Sequence, residues 1–340
     1  MIEMKTRREW HARIPKVELH LHLEGSIPLA TMWDLIQKYG GDSSVSGLED
    51  LRHRFQFRDF SHFIQTWIWK NQFLREFEDF TYISEQIAIH LRTQNIKYVE
   101  AFFSPARFAE KGLAVPQLME AIRTGLDRVP ELEIALIPDL VRDVGPNMAM
   151  DVLREILQLN RLGIIGIGLG GSEQLFPPEL FEDHYLLARK AGLHTTAHAG
   201  EAAGASSIWG AIQSLRVDRI GHGTRSHEDE SLIEYLAETQ IPLEMCPLSN
   251  VSTGTISAHK LHPIRDYFDK GLLVTVNTDD PMMFGNSMAQ EFDALEQNFN
   301  FKTHEIQKLI LNGIDASWLE IDRKVALKES FVKDPLWSYE

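Results

Sequence analysis

Seven residues have the types and spacing of hydrolytic metal chemistry: His20, His22, His198, Glu201, His222, Asp279 and Asp280. In His20-Leu21-His22, the alternation of a β-strand turns both imidazoles to one side. Two neutral imidazoles buried side by side are costly without a partner, and a divalent cation is the partner that takes both lone pairs. An HxH pair alone also fits hydrogen-bonded or surface histidines. The metal reading strengthens because His198, His222 and the Asp279-Asp280 pair stand at the ends of further short apolar runs. Three imidazoles and a carboxylate form a nitrogen and oxygen set suited to Zn2+, one ion per chain, with a position left for water. Glu201, three residues beyond His198, faces that water without being a ligand and can shuttle a proton. His222, flanked by Gly221 and Gly223, can deprotonate the water or orient it. Asp279 and Asp280 point to opposite sides of a regular strand, so both serve one site only at a frayed end, one as ligand and one reading substrate. Asp-Asp-Pro otherwise reads as a turn or a helix cap.

The elements that must position these residues are short. Candidate strands fall at 17–23, 98–104, 133–140, 164–171, 192–200, 219–223, 241–250 and 272–281. Between them run helical patterns such as 147–161, 178–191 and 228–239, with apolar residues three and four apart. Eight strands alternating with helices predict an α/β protein, a closed (β/α)8 barrel of the TIM type; an open doubly wound sheet is the competitor. The barrel places every candidate residue at one mouth, because the C-terminal strand ends converge there. The stretch after the first strand is too long for one crossover and implies extra helices. We expect 40–95 to form a helical lid insertion within one barrel domain spanning 1–340, with further helices from 289 onward. In that insertion Phe60, Phe63, Trp67 and Trp69 either face substrate or pack as core. The glycines of GIGLGG at 166–171 lack the context of a phosphate loop and fit a close approach of backbone to a flat ligand. Cys246 has no visible catalytic partner and reads as a buried inert thiol.

Bulk properties narrow the partners. The 340 residues are 44% hydrophobic and 24% charged, an ordinary globular mixture. With 49 acidic against 34 basic residues the net charge is -15, which argues against a nucleic-acid partner because no basic patch gathers the positive charge. No apolar run approaches the roughly 20 residues of a membrane helix, and the first ten residues lack an apolar signal core. A cytoplasmic protein without membrane partners is expected. A single cysteine excludes an internal disulfide framework. Oligomeric state is not legible.

Five segments together resemble the adenosine deaminase family: VELHLHLEGS at 17–26, HAGE at 198–201, RIGHG at 219–223, CPLSN at 246–250 and NTDDP at 277–281. The resemblance runs from about residue 15 to about residue 290. It implies a zinc-containing (β/α)8 barrel with His20, His22, His198 and Asp279 as ligands. It also implies Glu201 as the acid that protonates purine N1, His222 as partner of the attacking hydroxide, Asp280 on N7 and Gly171 on N3. The implied reaction is water attack at C6 of an adenine-containing small molecule, a tetrahedral intermediate, and loss of ammonia to leave a 6-oxo purine. Adenosine deaminases usually carry aspartate at position 24, where this chain has Glu24; relatives acting on free adenine or other adenosine-like molecules carry glutamate. The segments 169–181, 207–212 and 279–285 look more like the aminodeoxyfutalosine deaminases of menaquinone synthesis. That puts the 5'-extended nucleoside ahead of adenosine, and free adenine third. The extended arm would need apolar room and a cation, for which Phe60, Phe63, Trp67, Trp69, Lys70 and Arg107 are candidates, the bland reading of the basic pair being a solvated surface. A metal-dependent amidohydrolase of another kind, and a non-catalytic metal-binding barrel, are the readings from other classes.

Overall fold

A computed structural model describes residues 6–159 and 162–338. The ends of the 1–340 span, and the side chain of Phe60, lie outside the described residues.

The eight strands are β1 (Lys16–His22), β2 (Ile96–Phe103), β3 (Glu133–Val141), β4 (Gly166–Gly170), β5 (His194–Ala199), β6 (Arg219–His222), β7 (Leu243–Met245) and β8 (Val274–Val276). They pair in sequence order, every pair parallel. Each is short and buried, as expected for strands covered by helices outside and packed side chains within. The barrel closes between β8 and β1 beyond the last residue of β8. His22 N–H donates to the Asp279 carbonyl at 2.9 Å, and Asp279 N–H to the His20 carbonyl at 3.0 Å. Two side chains reinforce the seam: Glu18 Oε1 accepts Thr278 N–H at 2.9 Å, and Asn277 Oδ1 accepts Leu19 N–H at 3.0 Å. The closing residues therefore include three of the chemistry-bearing ones, which ties the site to the integrity of the barrel.

Two strands, β7 and β8, keep only three residues of ten-residue sequence patterns. The run 241–250 leaves β7 at Met245 and turns into the helix Pro247–Ser252. Proline at the first helical position has a suitable φ and no N–H to leave unpaired, so CPLSN starts a helix instead of continuing a strand. The run 272–281 stops as a strand at Val276, and Asp279 adopts φ 66°, a left-handed conformation. That reversal resolves the opposite-sides problem, and both Asp279 and Asp280 line the same cavity.

Helix Phe77–Thr93 is the crossover from β1 to β2, packed on Val115–Leu126. The contact is close: a Cβ on Gly125 would stand 2.2 Å from the Thr81 carbonyl oxygen. Before it come the extra helices Leu29–Lys38, Leu48–Arg54 and Phe60–Asn71. At the other end Met288–Phe299, Thr303–Ala316 and Ile321–Val332 follow the barrel, Thr303–Ala316 lying across β8 and β1. Among the described residues no helix is long and apolar enough to cross a membrane.

Candidate active site

At the C-terminal mouth, His20 and His22 project from β1 toward His198 at the end of β5. His20 Nε2 and His22 Nε2 each stand 3.1 Å from His198 Nε2. Asp279 Oδ1 lies 3.8 Å from His20 Nε2 and 3.4 Å from His22 Nε2. Donors arranged tetrahedrally around zinc, with Zn–N of about 2.0–2.1 Å, are separated by about 3.3 Å. His20, His22 and His198 all have pKa values pushed well below the usual imidazole range, first by burial and then by one another or by His222. Three neutral imidazoles aim nitrogens at one point with no room for a proton on each, an arrangement that a cation satisfies. His222 also brings a ring nitrogen within 4.8 Å of donors on His20, His198 and Asp279. The cluster thus fits a metal centre in donor type, spacing and protonation.

The surrounding groups hold these rings. Glu244 on β7 places Oε2 2.7 Å from His20 Nδ1, which leaves Nε2 as the free lone pair. Arg219 on β6 grips the same carboxylate at Oε1, 2.5 Å away, and reaches Glu100 on β2 at 2.6 Å. Ser249 Oγ donates to Asp279 Oδ2 at 2.6 Å. His222 is set by a chain of three bonds. Ile264 N–H donates to His262 Nδ1 at 3.3 Å, so the His262 proton sits on Nε2 and is given to Asn250 Oδ1 at 3.2 Å. The Asn250 amide then donates to His222 Nδ1 at 3.1 Å. His222, neutral because burial lowers its pKa, therefore carries its proton on Nε2. That nitrogen faces Glu201 Oε2 at 3.6 Å and Asp279 Oδ2 at 4.0 Å. Of the two roles open to His222 in the sequence, orienting a water is the one this tautomer permits. Both His222 (φ 61°) and Asp279 (φ 66°) occupy the left-handed region, a strain that the barrel seam and the flanking hydrogen bonds sustain.

Glu201 is largely sequestered, its side chain 12% exposed on the cavity, and its pKa is raised to about 8, chiefly by removal from water and then by the charge of Glu173. It holds its proton at neutral pH, as a general acid must. Asp280 also has its pKa pushed well up, by burial first and then by Asp279, and its Oδ1 has no hydrogen-bond partner. It fits its place because Gly25 has no side chain, a Cβ there being 1.6 Å from Asp280 Oδ1. Glu24 is buried, with Oε1 accepting Ser104 N–H at 2.8 Å and Oε2 unpartnered. Gly171 follows β4 at φ 100°, where a Cβ would meet Asp143 Oδ2 at 2.2 Å.

These groups open on one cavity lined by His22, His198, Glu201, His222, Asp279 and Asp280 at its chemical end, and by Phe63, Ile64, Trp67 and Ile68 from the inserted helix. Trp69 does not reach it: its indole N–H donates to Asp42 at 3.0 Å, and Arg54 lies over its ring. Lys70 is no surface lysine. It is 2% exposed, donating to the Glu24 carbonyl at 2.5 Å and to Asn71 Oδ1 at 2.8 Å. Arg107 lines the cavity but is paired with Asp143 at 3.1 Å. Cys246 is buried with its thiol pKa pushed well up by burial, as an inert thiol should be.

Sequence reasoning missed Asp139, Glu173 and Glu244. Asp139 lies near the end of β3, lines the cavity and is buried, with Oδ1 unpartnered. Its pKa is pushed well up, by burial first and by Glu24 next. The glycine run of β4 exists largely to make room for it. A Cβ on Gly170 would stand 2.3 Å from Asp139 Oδ2, and one on Gly168 2.6 Å from Oδ1 and 2.7 Å from Phe102. An acid inside the apolar stretch of a strand that neighbours a glycine strand was the signal available for it.

Comparison with known proteins gives this geometry a context. The sequence profile of the family described as adenosine deaminase matches residues 15–334. Adenine deaminase of Wolinella succinogenes is 36% identical over 325 residues, spanning 95% of this chain and 98% of that protein. Aminodeoxyfutalosine deaminase of Streptomyces avermitilis is 31% identical over 334 residues, spanning 96% and 93%. The solved structure of adenine deaminase from Arthrobacter aurescens superposes with a TM-score of 0.90 at 31% identity, covering 94% of this chain and 98% of that one. By profile, by identity over nearly its whole length and by fold, the chain belongs to the adenosine deaminase family, hydrolases acting on C–N bonds.

Proposed function

We propose that the protein is a zinc-dependent adenine deaminase, replacing the 6-amino group of the free base by oxygen: adenine and water give hypoxanthine and ammonia. The observation that carries this reading is Asp139, a buried carboxyl in the cavity wall with one oxygen unpartnered and its pKa pushed up by burial and by the neighbouring Glu24. A free purine presents an imidazole N–H and the N3 lone pair, and carboxyls held protonated can serve both as donor and as acceptor. The extended nucleoside, first in the order read from the sequence, needs a free cation for its carboxylate. Both candidates are already engaged, Arg107 by Asp143 and Lys70 by the Glu24 carbonyl and Asn71. Similarity to adenine deaminases over nearly the whole chain points the same way.

In this reading His20, His22, His198 and Asp279 hold one zinc ion. When bound, it supplies the Lewis acidity that brings water ionisation to about pH 7. Glu201 gives its proton to ring N1 as water adds to C6. His222 Nε2–H hydrogen-bonds the attacking oxygen and fixes its approach. Asp279 takes one proton of the water and passes it to the leaving nitrogen; as ammonia departs, the C6 hydroxyl proton returns to Glu201, which leaves the 6-oxo ring with its N1 proton and the acid restored. Asp280 binds the N7 edge, and the Gly171 backbone approaches N3. The helix Phe60–Asn71, within the 40–95 insertion, acts as the lid, with Phe63 and Trp67 over the base. Ammonia release from adenine, adenosine and aminodeoxyfutalosine, compared as kcat/KM, tests the assignment. Preference for adenine by tenfold or more is expected; preference for either nucleoside would overturn the free-base reading, and silence on all three would overturn deamination.

A further inference from the structure

Glu201 sits in a segment without helix or strand, since β5 ends at Ala199 and the next helix, Ala205–Gly210, begins six residues later. A catalytic group on such a segment needs outside support to keep its geometry. The support is Glu173, from the loop that follows β4. Its side chain is buried, 4% exposed, and turned onto the Glu201 segment. Oε1 accepts Gly200 N–H at 2.5 Å, and Oε2 accepts the N–H groups of Glu201, Ala202 and Ala203 at 3.2, 2.8 and 2.9 Å. Four consecutive amides converge on one carboxylate, the pattern of a backbone anion nest filled from within the chain. Arg142 braces the same junction, donating to the Phe176 carbonyl at 2.5 Å on the Glu173 loop and to the His198 carbonyl at 2.8 Å on β5.

We propose that Glu173 is a positioning residue for the general acid: its carboxylate fixes the backbone from Gly200 to Ala203 and so keeps the Glu201 side chain aimed at the substrate ring. The role rests on the deaminase reading above. The charge of Glu173 also helps keep Glu201 protonated, a second effect in the same direction. Glutamine at 173 is isosteric, yet in either flip its amide NH2 faces backbone N–H donors, so it cannot reproduce the four bonds.

The test is a double-mutant cycle on kcat, run with the 6-aminopurine that the wild type turns over, together with amide hydrogen exchange. Glu173→Gln should lower kcat at least 30-fold with KM within threefold and metal content unchanged, and Glu173→Asp should recover part of the loss. In a Glu201→Gln background the same change should cost less than threefold, because both act through one proton transfer. Equal losses in the two backgrounds, or a kcat within threefold of wild type, would overturn the proposal. Exchange in the wild-type protein needs no variant to fold and no turnover: the amides of Gly200 to Ala203 should exchange at least a hundredfold slower than exposed loop amides. Fast exchange there would overturn it independently. A wild type inactive on every 6-aminopurine would refute the function instead, which the exchange result distinguishes.

Discussion

Replacing Glu201 by glutamine separates proton donation from shape. Burial raises the Glu201 pKa from 4.5 to about 8. At pH 7 about nine in ten molecules then carry the proton, against about one in 300 for an unshifted carboxyl, a roughly 300-fold enrichment of the acid form. Glutamine keeps the volume and a hydrogen-bond donor but has no proton to give, and general acid catalysis contributes about 10²–10⁴-fold. Glu201→Gln should therefore lower kcat by about 10²–10⁴, or about 3–5 kcal/mol in barrier, with KM changed little. The pH profile sharpens the test. A carboxyl with a raised pKa is in its active, protonated form below that value and loses the proton above it. The wild-type kcat/KM should therefore fall tenfold per unit above about pH 8, and the variant should lack that limb. Steady-state ammonia release from pH 6 to pH 10, with metal content measured on each sample, is the assay. Metal content should stay unchanged, since Glu201 lies outside the histidine and aspartate cluster. A variant within threefold of the wild type, or one that keeps the alkaline limb, would refute the assignment of Glu201 as acid.

Asp139→Asn should lower kcat/KM for adenine by about 5–150-fold, the cost of leaving a buried hydrogen-bonding group unsatisfied, about 1–3 kcal/mol; an unchanged value would remove Asp139 from substrate recognition. Glu244→Gln, which weakens the hold on His20 Nδ1, should lower zinc affinity about 10–100-fold in competition with a chromogenic chelator, and equal affinity would show that His20 orients itself. Gly171→Ala forces a side chain onto a backbone at φ 100° and into Asp143. It should cost about 1–3 kcal/mol in urea unfolding, and a stability equal to wild type would mean that the loop relaxes freely. Dialysis against a strong chelator should abolish turnover, with recovery on adding zinc back; full activity after verified metal removal would refute metal dependence.

The chemistry was legible where residue type alone carries it. His20, His22, His198, Glu201 and Asp279 stand at strand ends, and eight short runs predict where those ends converge. The groups that aim them were not, because their contacts are long-range: Glu244 meets His20 across 224 positions, and Glu173 meets the Glu201 segment across 28. Side-chain periodicity says which way a residue points, not what it meets. Even so, β1, β2, β3 and β7 each carry acids that stand out in otherwise apolar cores: Glu18, Glu100, Asp139 and Glu244. All four are buried, on a barrel seam, an arginine, a cavity or a histidine. An acid inside an apolar strand cannot be left unpaired, so its presence alone called for a partner or a ligand.

The aromatic insertion shows how far periodicity can be pushed. Residues two apart on a helix face away from each other, whereas those four apart share a face. Phe63 and Trp67 therefore belong together, and Trp69 belongs to the opposite side, a distinction available from spacing once 60–71 is read as helix. The structure has that split, with Phe63 and Trp67 on the cavity and Trp69 beneath Arg54. Lys70, three residues beyond Trp67, shares its face, which spacing also predicts. Its 2% exposure follows: a lysine on the Trp67 side of a helix laid over a barrel mouth is buried with that side, and its Nζ is satisfied there by hydrogen bonds to the Glu24 carbonyl and Asn71 Oδ1.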